Sequence, residues 1–459
     1  MRRMAGAATE FLVRFIEGLP DAPASDLEGA VAAARSLREA APEDAGAFEP
    51  LLETVEAAAA KAFNTTGPGY LAYIPGGGLW AAILGEYLAY GVNRYVNVWN
   101  AAPVFAEMEA TVIRWIAGEF DYPPEVRGIL TTGGSMANFS AIVAARRSLL
   151  GDRLDGGTLY VSDQTHASVA KSAVLAGFPP SAVRAVPCEE AWGVDVGALR
   201  SMIERDRAAG LRPFFIVGNA GTTNTGAVDS LGELADVAAA QGLWLHVDGA
   251  YGGFFQLTER GRAAFDGISR ADSITLDPHK GMFLPYGTGC LLVRDGAKLR
   301  EAHQVGADYL QDLAAEDEIP NFTDYSPELS RDNRGLRVWL PLKLHGFGAF
   351  RAALDEKLDL AAFLAEGLTA TEGFVVVPAQ LTVVAFRYEP RTGDAEAFNR
   401  ALLERINASK RVFLSSTMLD GRFTIRACIV SHRTHRDRVE EALDIICRAT
   451  GELKESSLS

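Results

Sequence analysis

Seven short runs rich in Val, Ile and Leu, at 128–130, 158–161, 183–186, 214–218, 243–247, 273–276 and 289–293, alternate with helix-patterned segments through the middle of this chain. Strands this short and this continuously apolar are buried on both faces, and the helices between them supply the cover. The pattern therefore predicts a mainly parallel seven-stranded sheet of the α/β class. In such a sheet ligands bind beyond the carboxyl ends of the strands, so polar residues placed directly after an apolar run are the first candidates for chemistry.

The flanks differ from this core. From Thr9 to about Phe63 the pattern is helical, divided by Pro20, Pro23 and Pro42 and poor in large apolar residues, which predicts a segment that needs another surface to cover it. The stretch 67–78 is rich in Gly, Pro and Tyr and reads as a loop. Helical patterns return at 80–90 and 101–120. Beyond about Leu342 a long helix precedes strand patterns at 374–377, 382–388 and 422–430, an α+β arrangement. A chain of 459 residues exceeds what one hydrophobic core fills. The expected organisation is an N-terminal helical segment over 1–79, a large α/β domain over 80–341 and a smaller α+β domain over 342–459.

A formal charge of −15 argues against a nucleic-acid or anionic-membrane surface, which needs clustered Lys and Arg. No apolar run approaches the length of a membrane span, and no hydrophobic leader follows Met1-Arg2-Arg3, so a cytoplasmic protein is expected. Four cysteines, 188, 290, 428 and 447, form no C-x-x-C pair and predict neither a disulfide framework nor a zinc knuckle.

Several polar residues stand at the predicted strand ends. Lys280 closes Ser273-Ile274-Thr275-Leu276-Asp277-Pro278-His279-Lys280, and Asp248 closes Leu245-His246-Val247-Asp248. A desolvated lysine can condense with an aldehyde, and a buried carboxylate needs a cationic partner. Pyridoxal 5'-phosphate meets both needs, as an aldehyde and as a ring nitrogen held protonated. His166 follows the run 159–161 and can stack on such a ring. The motif Thr131-Thr132-Gly133-Gly134-Ser135-Met136-Ala137-Asn138 leads from a strand into a helix, where backbone N–H groups suit a phosphate; ordinary helix capping is the alternative. Thr222 and Thr223 can reach the ring hydroxyl, and Asp277 and His279 the phosphate side. A metal at His246, Asp248 and His279 has suitable ligand types but leaves Lys280 without a task, so no metal is expected.

With His166, Asp248 and Lys280 in this order, the chain resembles the group II pyridoxal-phosphate decarboxylases, of which the aromatic-L-amino-acid decarboxylases are the best known. The resemblance extends over Ala72-Tyr73-Ile74-Pro75, 99–109, Asp163-Gln164-Thr165-His166, His246-Val247-Asp248-Gly249-Ala250-Tyr251 and 334–339. It implies the fold-type I architecture, an N-terminal segment wrapping a partner, and a homodimer with shared active sites. It also implies Lys280 as the Schiff-base lysine, Asp248 as partner of the pyridine nitrogen and His166 as the stacking imidazole. Gly134 and Ser135 would hold the phosphate, with Asp277 and His279 nearby, and Thr223 the ring hydroxyl. Tyr309 matches the tyrosine that returns a proton once carbon dioxide has left; related aldehyde synthases have phenylalanine there.

The same resemblance places Tyr73, Ile74, Tyr95, Asn97 and Trp99 around the substrate. Tyr95 and Asn97 stand where aromatic-specific relatives carry an aliphatic residue and a phenylalanine, and Asp277 stands where animal enzymes carry asparagine. The expected reaction is decarboxylation of an L-amino acid, an aromatic one by Tyr73, Ile74 and Trp99. Arg94 or Asn97 leaves open an acidic substrate such as aspartate, glutamate or cysteine sulfinate. Transamination, retro-aldol cleavage and a cofactor-free structural role stand as further alternatives.

Overall fold

The structure, a computed structural model, describes residues 1–304, 321–378 and 380–456. All seven predicted strands are present and form one sheet: β1 (Arg127–Thr131), β2 (Gly157–Ser162), β3 (Val183–Val186), β4 (Arg212–Asn219), β5 (Trp244–Gly249), β6 (Ser273–Leu276) and β7 (Gly289–Val293), in the order β1-β7-β6-β5-β4-β2-β3. Pairing is parallel from β3 across to β6, whereas β7 runs antiparallel to both β6 and β1. The reason lies between β6 and β7, where the only helix is the single turn Pro278–Gly281. Without a crossover helix the chain turns back rather than re-entering in parallel.

Every residue of β2, β5, β6 and β7 is buried, as their uninterrupted apolar character predicts, and β3 at the sheet edge is the most exposed strand. The helix Gly134–Leu150 lies on the sheet through Ala137, Ala141, Ala144 and Ala145, all buried. Small side chains on that face let the helix axis approach closely, which brings its first turn down to the ends of β5 and β6.

The chain divides into two compact units. One comprises 76–359 with 378–383 and contains the seven-stranded sheet. The other comprises 1–75, 360–377 and 384–459. In this second unit β8 (Phe374–Val376), β9 (Val383–Tyr388), β10 (Ser415–Leu419) and β11 (Arg422–Cys428) make a four-stranded sheet in the order β10-β11-β9-β8, covered by the helices Ala395–Ala408 and Arg436–Ser456. Residues before 76 pack within this unit. Tyr70, Phe63 and Phe413 form an aromatic cluster, the Leu71 N–H donates to the Phe413 carbonyl at 3.0 Å, and Arg438 donates to the Pro20 carbonyl at 2.7 Å.

Two elements depart from the sequence reading. β10 has no strand-like apolar alternation, yet Asp420-Gly421, both at positive φ (48° and 73°), makes the two-residue turn that pairs it with β11. The long helix starts at Arg334 rather than near 342, runs to Thr369 and breaks at Gly346. No helix among the described residues is long and apolar enough to cross a membrane.

Candidate active site

A cavity of about 260 Å³ opens beyond the carboxyl ends of β4, β5 and β6, against the first turn of the helix Gly134–Leu150. Lys280, Asp248, His166, Gly134, Ser135, Thr223, Asp277 and His279, the residues that the sequence nominated around a cofactor, all line it.

Lys280 reaches the cavity because Asp277 ends the extended chain after β6 and Pro278 starts a single helical turn. Three residues on from Asp277, its Nζ lies 2.9 Å from Asp277 Oδ2. Asp277 is 2% exposed, and its other oxygen has no hydrogen-bond partner among the described residues. His279 Nε2 stands 3.7 Å from the same Oδ2, while Nδ1 donates to the Thr288 carbonyl at 2.7 Å. Burial holds the His279 imidazole below its ordinary pKa, with Asp277 pulling the other way.

Asp248, 7% exposed, accepts from Asn138 Nδ2 at 3.0 Å through Oδ2 and from the Ala250 N–H at 3.1 Å through Oδ1. It thus caps the turn after β5 with one oxygen and remains in the cavity lining. His246, two residues earlier on the same face of β5, is fully buried with both ring nitrogens engaged, by Ser273 and by Asn138. Burial drives its pKa down to about 4, against the attraction of Asp248. A neutral imidazole so committed has no lone pair to spare for a metal.

His166 caps the helix Ala167–Leu175, its Nδ1 accepting the Ser168 N–H at 3.3 Å. Thr222 is buried and bonded to Thr225 and to the Ala227 N–H, whereas Thr223 is half-buried. Behind the end of β4, Asn219 binds Ser162, Thr165 and Asp229. Asp229 is itself buried and raised in pKa by that burial, while N–H groups of Asn219 and Val194 oppose the shift.

Tyr95, Asn97 and Trp99 do not line this cavity within one chain. Tyr95 Oη and Asn97 Nδ2 both donate to the Leu329 carbonyl, at 2.8 and 2.7 Å, and the Trp99 N–H donates to Asn321 Oδ1 at 2.9 Å. Tyr73 and Ile74 belong to the other unit, where Tyr73 is 56% exposed at a φ of 53° and its N–H donates to Ser415 Oγ. Tyr309 lies outside the described residues.

The sequence reading assigns no role to Asn138, which closes the motif 131–138, or to Ser168, two residues after His166. The available signal was a polar side chain on the otherwise alanine-rich inner face of a helix.

The lining suits pyridoxal 5'-phosphate. A Cβ built on Gly134 falls 2.9 Å from Ala250 Cβ and 3.2 Å from Asp277 Oδ2, so only glycine keeps the helix start clear where a phosphate would meet its free N–H groups. Gly133, at a φ of 152°, turns the chain into that helix.

Comparison with known proteins agrees. The family model of the pyridoxal-dependent decarboxylase conserved domain matches residues 32–389. An aromatic-L-amino-acid decarboxylase of Bacillus atrophaeus is 36% identical over 100% of this chain and 96% of its own. Among solved structures, Oryza sativa TDC with PLP and tryptamine superposes with a TM-score of 0.93 at 27% identity, covering 98% of each chain. Catharanthus roseus tryptophan decarboxylase in complex with L-tryptophan gives 0.92 at 28%, also covering 98% of each. The lysine-bearing cavity at the strand ends and the family match over most of the length lead to one conclusion: this chain belongs to the pyridoxal-dependent decarboxylases, enzymes that remove a carboxyl group from an amino acid with pyridoxal phosphate.

Proposed function

We propose that the enzyme decarboxylates an aromatic L-amino acid, releasing carbon dioxide and the corresponding amine. The observation that carries this is the convergence of Lys280, Asp248 and His166 on one cavity in a chain whose full-length relative is named for aromatic amino acids. When bound, pyridoxal 5'-phosphate supplies an aldehyde for amines and a cationic ring that takes up the electron pair left by the departing carboxylate.

Lys280 is the only lysine in the cavity lining among the described residues, and its amine would hold the cofactor aldehyde. Asp277, 2.9 Å from that amine, would keep it partnered when the aldehyde is not bound to it. Asp248 would accept the N–H of the ring nitrogen, and His166 would stack on the ring. Gly134 and Ser135 would hold the phosphate, with Asp277 and His279 nearby, and Thr223 would contact the ring hydroxyl. Tyr309 returns a proton to Cα.

Tyr73, Ile74, Tyr95, Asn97 and Trp99 surround the substrate side chain in a cytoplasmic homodimer whose subunits share their active sites. The N-terminal segment 1–79 wraps the partner, 80–341 binds the cofactor, and 342–459 forms the small domain. Asn97 is 0% exposed within its own chain, its amide nitrogen donating to the Leu329 carbonyl at 2.7 Å.

The test is carbon dioxide release from L-tryptophan and L-tyrosine against L-glutamate, L-aspartate and cysteine sulfinate. The aromatic pair is expected to lead in kcat/KM by on the order of 10²-fold. Faster turnover of an acidic substrate refutes the side-chain assignment while leaving decarboxylation intact.

A further inference from the structure

We propose that Asn138 is a positioning residue that joins the carboxylate of Asp248 to the imidazole of His166 through one directional chain of hydrogen bonds, which fixes the proton of His166 on Nε2. The inference rests on the reading that these two groups flank the cofactor ring.

The direction follows from which atoms can only accept. Asp248 Oδ2 is a carboxylate oxygen 3.0 Å from the Asn138 side chain, so the nitrogen of that amide faces it. The same Nδ2 lies 3.1 Å from Ser168 Oγ, which commits both amide hydrogens. Oδ1 is thereby turned to His246 Nε2 at 3.0 Å, and Nε2 must carry the hydrogen; the Thr275 hydroxyl, 3.3 Å from Nε2, accepts the longer branch. His246 Nδ1 then accepts from Ser273 Oγ at 2.8 Å, and Ser273 accepts the Trp244 indole N–H at 2.8 Å. In the other direction, Ser168 Oγ lies 2.8 Å from His166 Nδ1, and because that nitrogen already accepts a backbone N–H, the hydroxyl hydrogen goes to it. The Ser168 N–H points at the same nitrogen. Two donors converge on Nδ1, which leaves Nε2 as the protonated atom. Asn138, Ser168, His246 and Ser273 are all at least nine-tenths buried, so water does not compete for these bonds.

The test uses Ser168→Ala, Asn138→Leu and the double variant, with two readouts. Histidine-selective 15N spectra of the cofactor-free protein, with the signal assigned by His166→Gln, are expected to show Nε2–H at His166 in the parent and a tautomer mixture in Ser168→Ala. In the loaded enzyme, each single change is expected to lower kcat about 10- to 100-fold with KM moved less than about threefold, and the double change no further than the worse single one. An unchanged tautomer in Ser168→Ala, or losses that simply multiply, overturns the proposal. Failure of the parent protein to bind pyridoxal 5'-phosphate in an absorbance titration would overturn the cofactor reading instead, since the tautomer is read without cofactor. Ser168→Ala removes a single oxygen and decides the matter even where Asn138→Leu does not fold.

Discussion

At position 246 an imidazole is fully buried, bonded at both nitrogens and held at a pKa of about 4, against 6.5 in the open chain. Its charged form is the one that folding disfavours. As pH falls from about 6.5 to about 4 the unfolded chain takes up a proton that the native state refuses, so stability drops over that window; above about 6.5 the residue contributes no pH dependence. Thermal melts should show His246→Asn losing less stability than the parent between pH 6.5 and 4, the slopes differing by up to about 3 kcal/mol over the window. Parallel slopes would contradict the buried neutral state. The places of Lys280, Asp248 and His166 at the cavity were legible in the sequence because each lies at, or within four residues of, the carboxyl end of an apolar strand. Asn138 was not, because its partners at 168, 246 and 248 lie 30, 108 and 110 residues along the chain.

Among the elements, β1 is held by charge as well as by its ladder. Glu109 and Arg331, both with fully buried side chains, meet at 2.6 Å. Glu109 also accepts the Leu130 N–H, while Arg331 and Arg334 donate to the Leu130 carbonyl. Because β1 leads directly into Gly133 and Gly134, this pairing sets the position of the turn proposed to bind phosphate. Arg331→Leu strands a buried carboxylate and should cost about 3–5 kcal/mol in denaturant unfolding. Adding Glu109→Leu should recover part of that loss, and a double variant worse than the single would contradict the pairing. Neither this contact nor β10 could be read locally. The ion pair joins residues 222 apart, and Ser415-Ser416-Thr417-Met418-Leu419 becomes a strand through its partner β11 rather than through its own periodicity. The seven strands of the large sheet were legible because burial on both faces leaves an uninterrupted apolar run.

For the whole molecule, the helix Trp80–Val92 leaves Leu84, Tyr87 and Leu88 exposed at 36, 65 and 48%, on one face by their spacing of three and four. A cluster of large apolar groups at the surface marks an interaction site. With Tyr95 exposed and Trp99 half-buried outside the cavity of their own chain, a second subunit is the proposed partner of both surfaces. Light scattering should give a dimer for the parent and a monomer of reduced activity for Tyr87→Glu with Leu88→Glu; an active monomer would contradict shared sites. The central claim, that Lys280 carries the cofactor, is read most directly from the protein loaded with pyridoxal 5'-phosphate, reduced with borohydride and mapped by peptide mass spectrometry. The account predicts one cofactor mass per chain, on the peptide containing Lys280 and absent in Lys280→Ala. A stable adduct on another lysine, or none on a catalytically active protein, would contradict it.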